Sequence, residues 1–188
     1  MKKINKKGFT LVELLATLVI LGLLTVIAAP NIIGILTNTK LNTYISDANK
    51  LQTLAEYKFR SDSKITRPQD GQCIVLTMNY LGTSEFKNPP YGGTYSTDKS
   101  FVVIKKEGNE YKYYVQIIED IKKNEAGVVT EYGGIKAIAK SEIKKENNID
   151  IIDTGMSSVT GATQGASFTY KKEVGGTTGT CTVQRIYN

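Results

Sequence analysis

The chain has 188 residues, room for one domain and an extension, and contains no histidine or tryptophan. Without histidine, most zinc sites and histidine-based catalytic triads are excluded, so the expectation is a non-enzyme with no metal or cofactor. The net charge of +6 says little about partners: four of the 24 basic residues are Lys2, Lys3, Lys6 and Lys7, and without them 20 face 18 acidic residues, a net of +2. The alkaline balance belongs to the N-terminus and does not argue for a nucleic-acid partner.

The first element is an apolar segment behind that basic leader. From Gly8 to Thr39 the only charged side chain is Glu13. A charge at the centre of a membrane helix costs roughly 2.5–3.5 kcal/mol, so its retention points to function. Three readings compete. A secretory signal peptide would be cut after Ala28 or Ala29, but Glu13 sits badly in its apolar region and Pro30 would follow the second cut directly. A plain membrane anchor is long enough if the run continues to Thr39, with the basic leader cytoplasmic, but it leaves Glu13 and the Gly8-Phe9 junction without a role. In the third reading, Gly8-Phe9-Thr10-Leu11-Val12-Glu13 resembles the leader-processing motif of type IV prepilins.

That resemblance implies cleavage between Gly8 and Phe9 by a membrane prepilin peptidase and methylation of the new amino group of Phe9. It also implies that Glu13 balances the Phe9 ammonium of a neighbouring subunit. Two opposite charges attract far more in a low-dielectric bundle than in water, and either one unpaired is penalised. A glutamate that merely snorkels to the membrane edge is the structural alternative.

The apolar run continues into an amphipathic pattern, with Leu41, Tyr44, Ile45, Ala48, Leu51, Ala55 and Phe59 at three- and four-residue steps. Residues 9 to about 60 are expected to form one helix of about 78 Å, apolar all round in residues 9–39 and one-sided in 40–61. Pro30 removes a helical hydrogen bond and Gly22 is a second weak point, so a kink or local break is expected near Ala29. In the pilin family the stretch between such residues can lose helicity inside the filament. The helix is expected to stop near Ser61-Asp62-Ser63.

From residue 62 to 188 the pattern is that of a β-rich head. Ile74–Leu81 is a short apolar stretch, read as a small helix or turn ending at Gly82. Asn88 to Tyr95 is a turn cluster that also resembles the Pro-Gly-Tyr segment between helix and sheet in many pilins and pseudopilins. Phe101–Ile104 and Tyr111–Ile118 read as a hairpin around Glu107-Gly108-Asn109-Glu110, with Tyr111, Tyr113, Val115 and Ile117 on one face. Residues 135–146 read as a helix or a strand, with Ile135, Ile138, Ala139 and Ile143 slightly favouring the helix. Residues 154–167 form an uncharged surface loop, and Ser167–Val174 and Thr180–Ile186 a last hairpin around Gly175-Gly176. The fold class expected is α+β: a long N-terminal helix packed on an antiparallel sheet, the pilin fold.

Cys73 and Cys181 lie in the exported part, where a structural disulfide is the expectation and free buried thiols the alternative. The pairs Lys105-Lys106, Lys122-Lys123, Lys144-Lys145 and Lys171-Lys172 each have an acid nearby (Glu107, Asp120, Glu146, Glu173), so a solvated mixed-charge face is expected over a DNA-binding stripe. Asp150 and Asp153 lack the glycine-bearing pattern of a calcium loop.

The resemblance thus implies a structural subunit of an extracellular type IV pilus, serving adhesion, motility, aggregation or biofilm. The subunit would wait as a single-pass protein in the bacterial cytoplasmic membrane and then join the filament. Its implied partners are other pilin subunits, the prepilin peptidase and the assembly machinery, with a host surface or DNA as further contacts. A pseudopilin of a secretion or DNA-uptake system is the second reading, and a membrane-anchored protein that never polymerises the third.

Overall fold

The computed structural model describes residues 9–143, 152–173 and 175–188, the side chains of residues 26–34 and 154 excepted. Gly8, the Lys144-Lys145 pair and Asp150 lie outside the described residues. The elements in chain order are α1 (Leu11–Ser61), β1 (Gln72–Thr77), α2 (Met78–Leu81), β2 (Thr94–Tyr95), β3 (Phe101–Glu107), β4 (Glu110–Lys123), β5 (Val129–Ala139), a 3-10 turn (Lys140–Glu142), β6 (Ile152–Met156), β7 (Ser167–Lys171) and β8 (Thr178–Tyr187). They belong to two compact units, Met1–Thr39 and Lys40–Asn188.

The second unit corrects the expected architecture. The strands do not form an antiparallel sheet beside a helix. They run β4-β3-β1-β8-β7-β5, and a further β4–β5 ladder joins the ends, which closes a six-stranded barrel. Its directions are mixed, because β1 pairs with β8 and β5 with β7 in parallel. Two short strands extend the ring: β2 continues along β4 where β3 ends, and β6 lies along β5. Closure removes the free edges that an open sheet would present.

The burial pattern follows from closure. Ile74, Leu76, Val102, Ile104, Val115, Ile117, Ile135 and Ile138 pack with Tyr44, Ala48, Leu51, Ala55 and Phe59 of α1 in one core. The alternate residues Cys73, Val75, Phe101, Val103, Tyr114 and Ala137 join Phe168, Tyr170, Cys181 and Val183 in a second core. A strand buried on both faces needs apolar residues at successive positions, which is why β1 reads Cys-Ile-Val-Leu without alternation. Strand β7 meets only the second core and alternates, with Phe168 and Tyr170 buried and Ser167 and Thr169 exposed.

Two carboxylates tie α1 to the barrel. Glu119 of β4 is fully buried. It accepts from the Tyr44 hydroxyl at 2.6 Å, the Gly93 N–H at 2.8 Å and the Tyr91 N–H at 3.1 Å. Asp47 of α1 accepts from the Tyr95 hydroxyl at 2.7 Å and from Lys50 at 3.1 Å.

For residues 135–139, where the pattern slightly favours a helix over a strand, the strand is found: they are the end of β5. Val115 pairs with Ile138 but Ile117 with Ile135, so β5 holds one residue more than β4 between these pairs. This β-bulge brings Ile135 and Ile138, three apart, onto one core and imitates a helical period. Gly134 is required just before it: its φ is +137° and a Cβ would lie 2.0 Å from the Ile117 carbonyl oxygen. Of the apolar stretch expected as a helix or turn, Ile74–Thr77 is strand and only Met78–Leu81 helical. Thr77 caps that turn through its hydroxyl, and Gly82 follows at φ +103°. The hairpin of Phe101–Glu107 with Glu110–Gln116 and the last hairpin, β7 with β8, are both present.

Cys73 and Cys181 form a disulfide across the parallel β1–β8 ladder, with Cα atoms 5.8 Å apart. Its closure of a loop of about 100 residues is worth about 4.7 kcal/mol in the chain-entropy model. Reduction, or Cys73→Ser with Cys181→Ser, is expected to lower unfolding free energy by about 2–5 kcal/mol, read as an earlier denaturant midpoint. Burial, followed by the bonds to Glu119 and Asp47, pushes the Tyr44 and Tyr95 phenols above the ordinary tyrosine value. The folded state thus holds these protons more tightly than the unfolded chain. Their stabilising contribution is complete below about pH 10 and falls as pH rises beyond it. Denaturant midpoints between about pH 8 and 11.5 should show that fall, and Tyr95→Phe should flatten it.

Candidate assembly site at the N-terminal helix

The prominent residues of the first unit gather at the start of α1. Thr10 precedes the helix, and its own N–H and hydroxyl both donate to Glu13 Oε2, at 2.9 and 2.8 Å. The Glu13 N–H donates back to the Thr10 hydroxyl at 3.3 Å. This is a capping box, Thr-x-x-Glu, which satisfies donors that a helix start leaves without intrahelical partners. The negative side chain also lies in the first turn, where the helix dipole favours it. In the sequence this role of Thr10 is marked only by its spacing, a threonine three residues before a glutamate at the edge of an apolar run, and the charge of Glu13 overshadows it.

Phe9 stands just outside the helix and is 81% exposed. The apolar side chains that follow are exposed as well: Leu11, Leu14, Leu18, Leu21 and Leu24, then Ile35 and Leu36. Hydroxyls within this stretch turn inward to the helix, as Thr17 donates to the Leu14 carbonyl and Thr25 to those of Leu21 and Gly22. The helical backbone continues through Gly22 and Pro30, and no other group comes within 4 Å of a Cβ placed at Gly22. The Pro30 side chain lies outside the described residues. Among the described residues, no helix is long and apolar enough to cross a membrane.

The remaining expected site residues lie elsewhere. Cys73 and Cys181 are together in the barrel. Lys105 bonds Glu107 at 2.8 Å and the Tyr170 hydroxyl at 2.9 Å, and Lys122 is paired with Glu131. Asp153 pairs with Lys136 at 2.8 Å. Among the described residues no group of acids, cysteines or histidines could hold a metal ion.

A leader junction, an exposed aromatic residue and a capped glutamate on a helix with an outward apolar surface define a class of processing and assembly signal. Residues 3–29 match the family model of the prokaryotic N-terminal methylation motif, the type IV prepilin-like signal. No curated protein and no solved structure matches the chain.

Thr10→Ala is expected to weaken the helix start by about 1 kcal/mol, and Thr10→Ser to preserve it. Amide hydrogen exchange should report this as about fivefold faster exchange at Glu13 and Leu14, with the barrel amides unchanged.

Proposed function

We propose that the protein is a structural subunit of an extracellular type IV pilus and acts by assembly, not catalysis. The observation that carries this reading is the prepilin-like signal over residues 3–29, with Glu13 at the fifth position after the Gly8-Phe9 junction. Prepilin peptidase would cut that junction, and the freed Phe9 amino group would be methylated. The subunit would wait in the cytoplasmic membrane, its leader side inward, until the assembly machinery moves α1 into a filament core.

The geometry at Glu13 supports a role for each carboxylate oxygen. Both bonds from Thr10 fall on Oε2, which fixes the side chain beside the helix start. Oε1 would then receive the Phe9 ammonium of the adjacent subunit. Pairing of this kind removes two isolated charges from an apolar surrounding at once, and it favours the filament over lipid. Gly22 to Pro30 would be the interval where α1 yields when packed among sister helices. The barrel would face outward, and other pilin subunits would be its nearest partners.

Glu13→Gln keeps the size and the first turn of the helix but removes the charge. It is expected to leave membrane insertion and cleavage in place and to lower filament yield at least about tenfold. Mass spectrometry of sheared surface filaments measures both: mature chains beginning at Phe9, and their abundance. A normal yield from Glu13→Gln would overturn the proposed pairing. Wild-type chains that are cleaved, yet absent from surface filaments, would assign the protein to a pseudopilus instead.

A further inference from the structure

The barrel is closed by ladders of unequal length. Five of its six seams hold between five and eight paired residues each. The sixth, between β5 and β7, has a single pair among the described residues, Ile138 with Lys171. A cavity of about 710 Å³ opens at this weak seam. That volume is in the range of sites for small organic ligands, about 300–1,000 Å³.

The walls are built. The β5 bulge sets Lys136 and Ala137 against Gln116, and all three line the cavity. Bulges re-aim side chains and recur beside binding sites. Gln116 is 4% exposed and its amide is fully engaged. Its Oε1 accepts from the Ala137 N–H at 3.2 Å, and its Nε2 donates to the Lys99 and Thr160 carbonyls at 2.9 and 3.1 Å. The last bond ties the cavity wall to the uncharged loop 157–166, whose residues Ser158 to Gly161 also line the cavity. The same loop is fastened to β8 by Gly165 N–H to the Val183 carbonyl and Val183 N–H to the Ala166 carbonyl.

The lining chemistry has a sign. Among the described residues it presents two ammonium groups, Lys136 and Lys171, and a set of hydroxyls that includes Ser158, Thr160 and Thr169, with no carboxylate. Lys171 makes no ion pair among the described residues, and Lys136 is paired only with Asp153, each about half exposed. A pair so exposed is weak and exchangeable. We propose that the β5–β7 seam is a binding site for a carboxylated saccharide, whose carboxylate meets Lys171 and Lys136 and whose hydroxyls meet the serine and threonine lining. Charge-assisted bonds would supply orientation, and the neutral ring would occupy the space under the loop.

The full chain in detergent micelles is titrated calorimetrically with trigalacturonate, with galactotriose, and with a blocked peptide of alternating valine and glutamate. Trigalacturonate should bind, more weakly as salt rises, and galactotriose at least about tenfold more weakly. Lys171→Gln should weaken trigalacturonate binding about tenfold, whereas Lys112→Gln, at an exposed site outside the cavity, should leave it unchanged. Asp153→Asn should tighten it, because Lys136 is released, and a merely structural Lys136–Asp153 pair would not do so. If Lys171→Gln does not fold, Thr169→Val reads the same wall through its hydroxyl. The proposal is overturned by absence of trigalacturonate binding, by equal binding of galactotriose, or by equal effects of Lys112→Gln and Lys171→Gln. Tighter binding of the acidic peptide also overturns it and makes the seam a site for strand addition.

Discussion

A carboxylate with no access to water must be answered on every side, and Glu119 is such a group. Leaving a buried charge unanswered costs several kcal/mol, so its partners are fixed as firmly as the charge itself. Those partners come from two parts of the second unit: Tyr44 on α1, and the Tyr91 and Gly93 amides of the turn before β2, all converging on a strand of the barrel. The turn can reach the carboxylate only because residue 93 is glycine, where a Cβ would lie 2.0 Å from the Asp120 carbonyl oxygen. Lys40, whose ammonium lies 4.0 Å from the centre of the Tyr91 ring, adds a cation–π contact to the same turn. One acidic side chain thus sets where the helix, the Pro-Tyr-Gly-Gly turn and β4 meet.

The barrel explains why two cores coexist in a small head. Strands β1, β3, β4 and β5 are covered outside by α1 and inside by the lumen, so their apolar residues serve two cores. Strands β7 and β8 supply residues to the inner core, and the disulfide stands where β8 lies beside β1. Parallel pairing of β1 with β8 joins strands over 100 residues apart, a non-local closure whose entropy cost a covalent bond between them reduces.

Much of this was written locally in the sequence. The hairpin around Gly108 and the hairpin of β7 and β8 are carried by alternation and turn residues, and the amphipathic stripe from Leu41 to Phe59 by its period. Ring closure was not legible, because nothing in a strand's own residues states whether its neighbour is parallel, or that β4 pairs on both edges. The bulge in β5 misled for a physical reason: one extra residue shifted a period of two to a spacing of three. At the N-terminus the motif was legible in full, while the capping role of Thr10 was eclipsed by the cost of Glu13 in an apolar surrounding. The seam between β5 and β7 left no local mark, since its character lies in the ladder that it lacks.

The first unit has its own logic. Its described leucines, with Ile20 and Ile35, are exposed and find no cover among the described residues of that unit, as the 80% exposure of Leu11 and the 61% exposure of Leu18 illustrate. Burying one such side chain gains about 1.5–3 kcal/mol, so two of them offset the roughly 2.5–3.5 kcal/mol cost of a charge such as Glu13 at the centre of a membrane helix. Apolar burial is nearly the same in lipid and among sister helices, and therefore cannot choose between them. The choice falls to the polar group that lipid cannot answer. In the proposed assembly, Glu13 destabilises the waiting subunit by about as much as its pairing stabilises the filament. In that assembly the capping box would have a second consequence: by holding the carboxylate at the helix start, Thr10 would set where along α1 the neighbouring subunit's amino group arrives. The register between helices would then follow from that one contact.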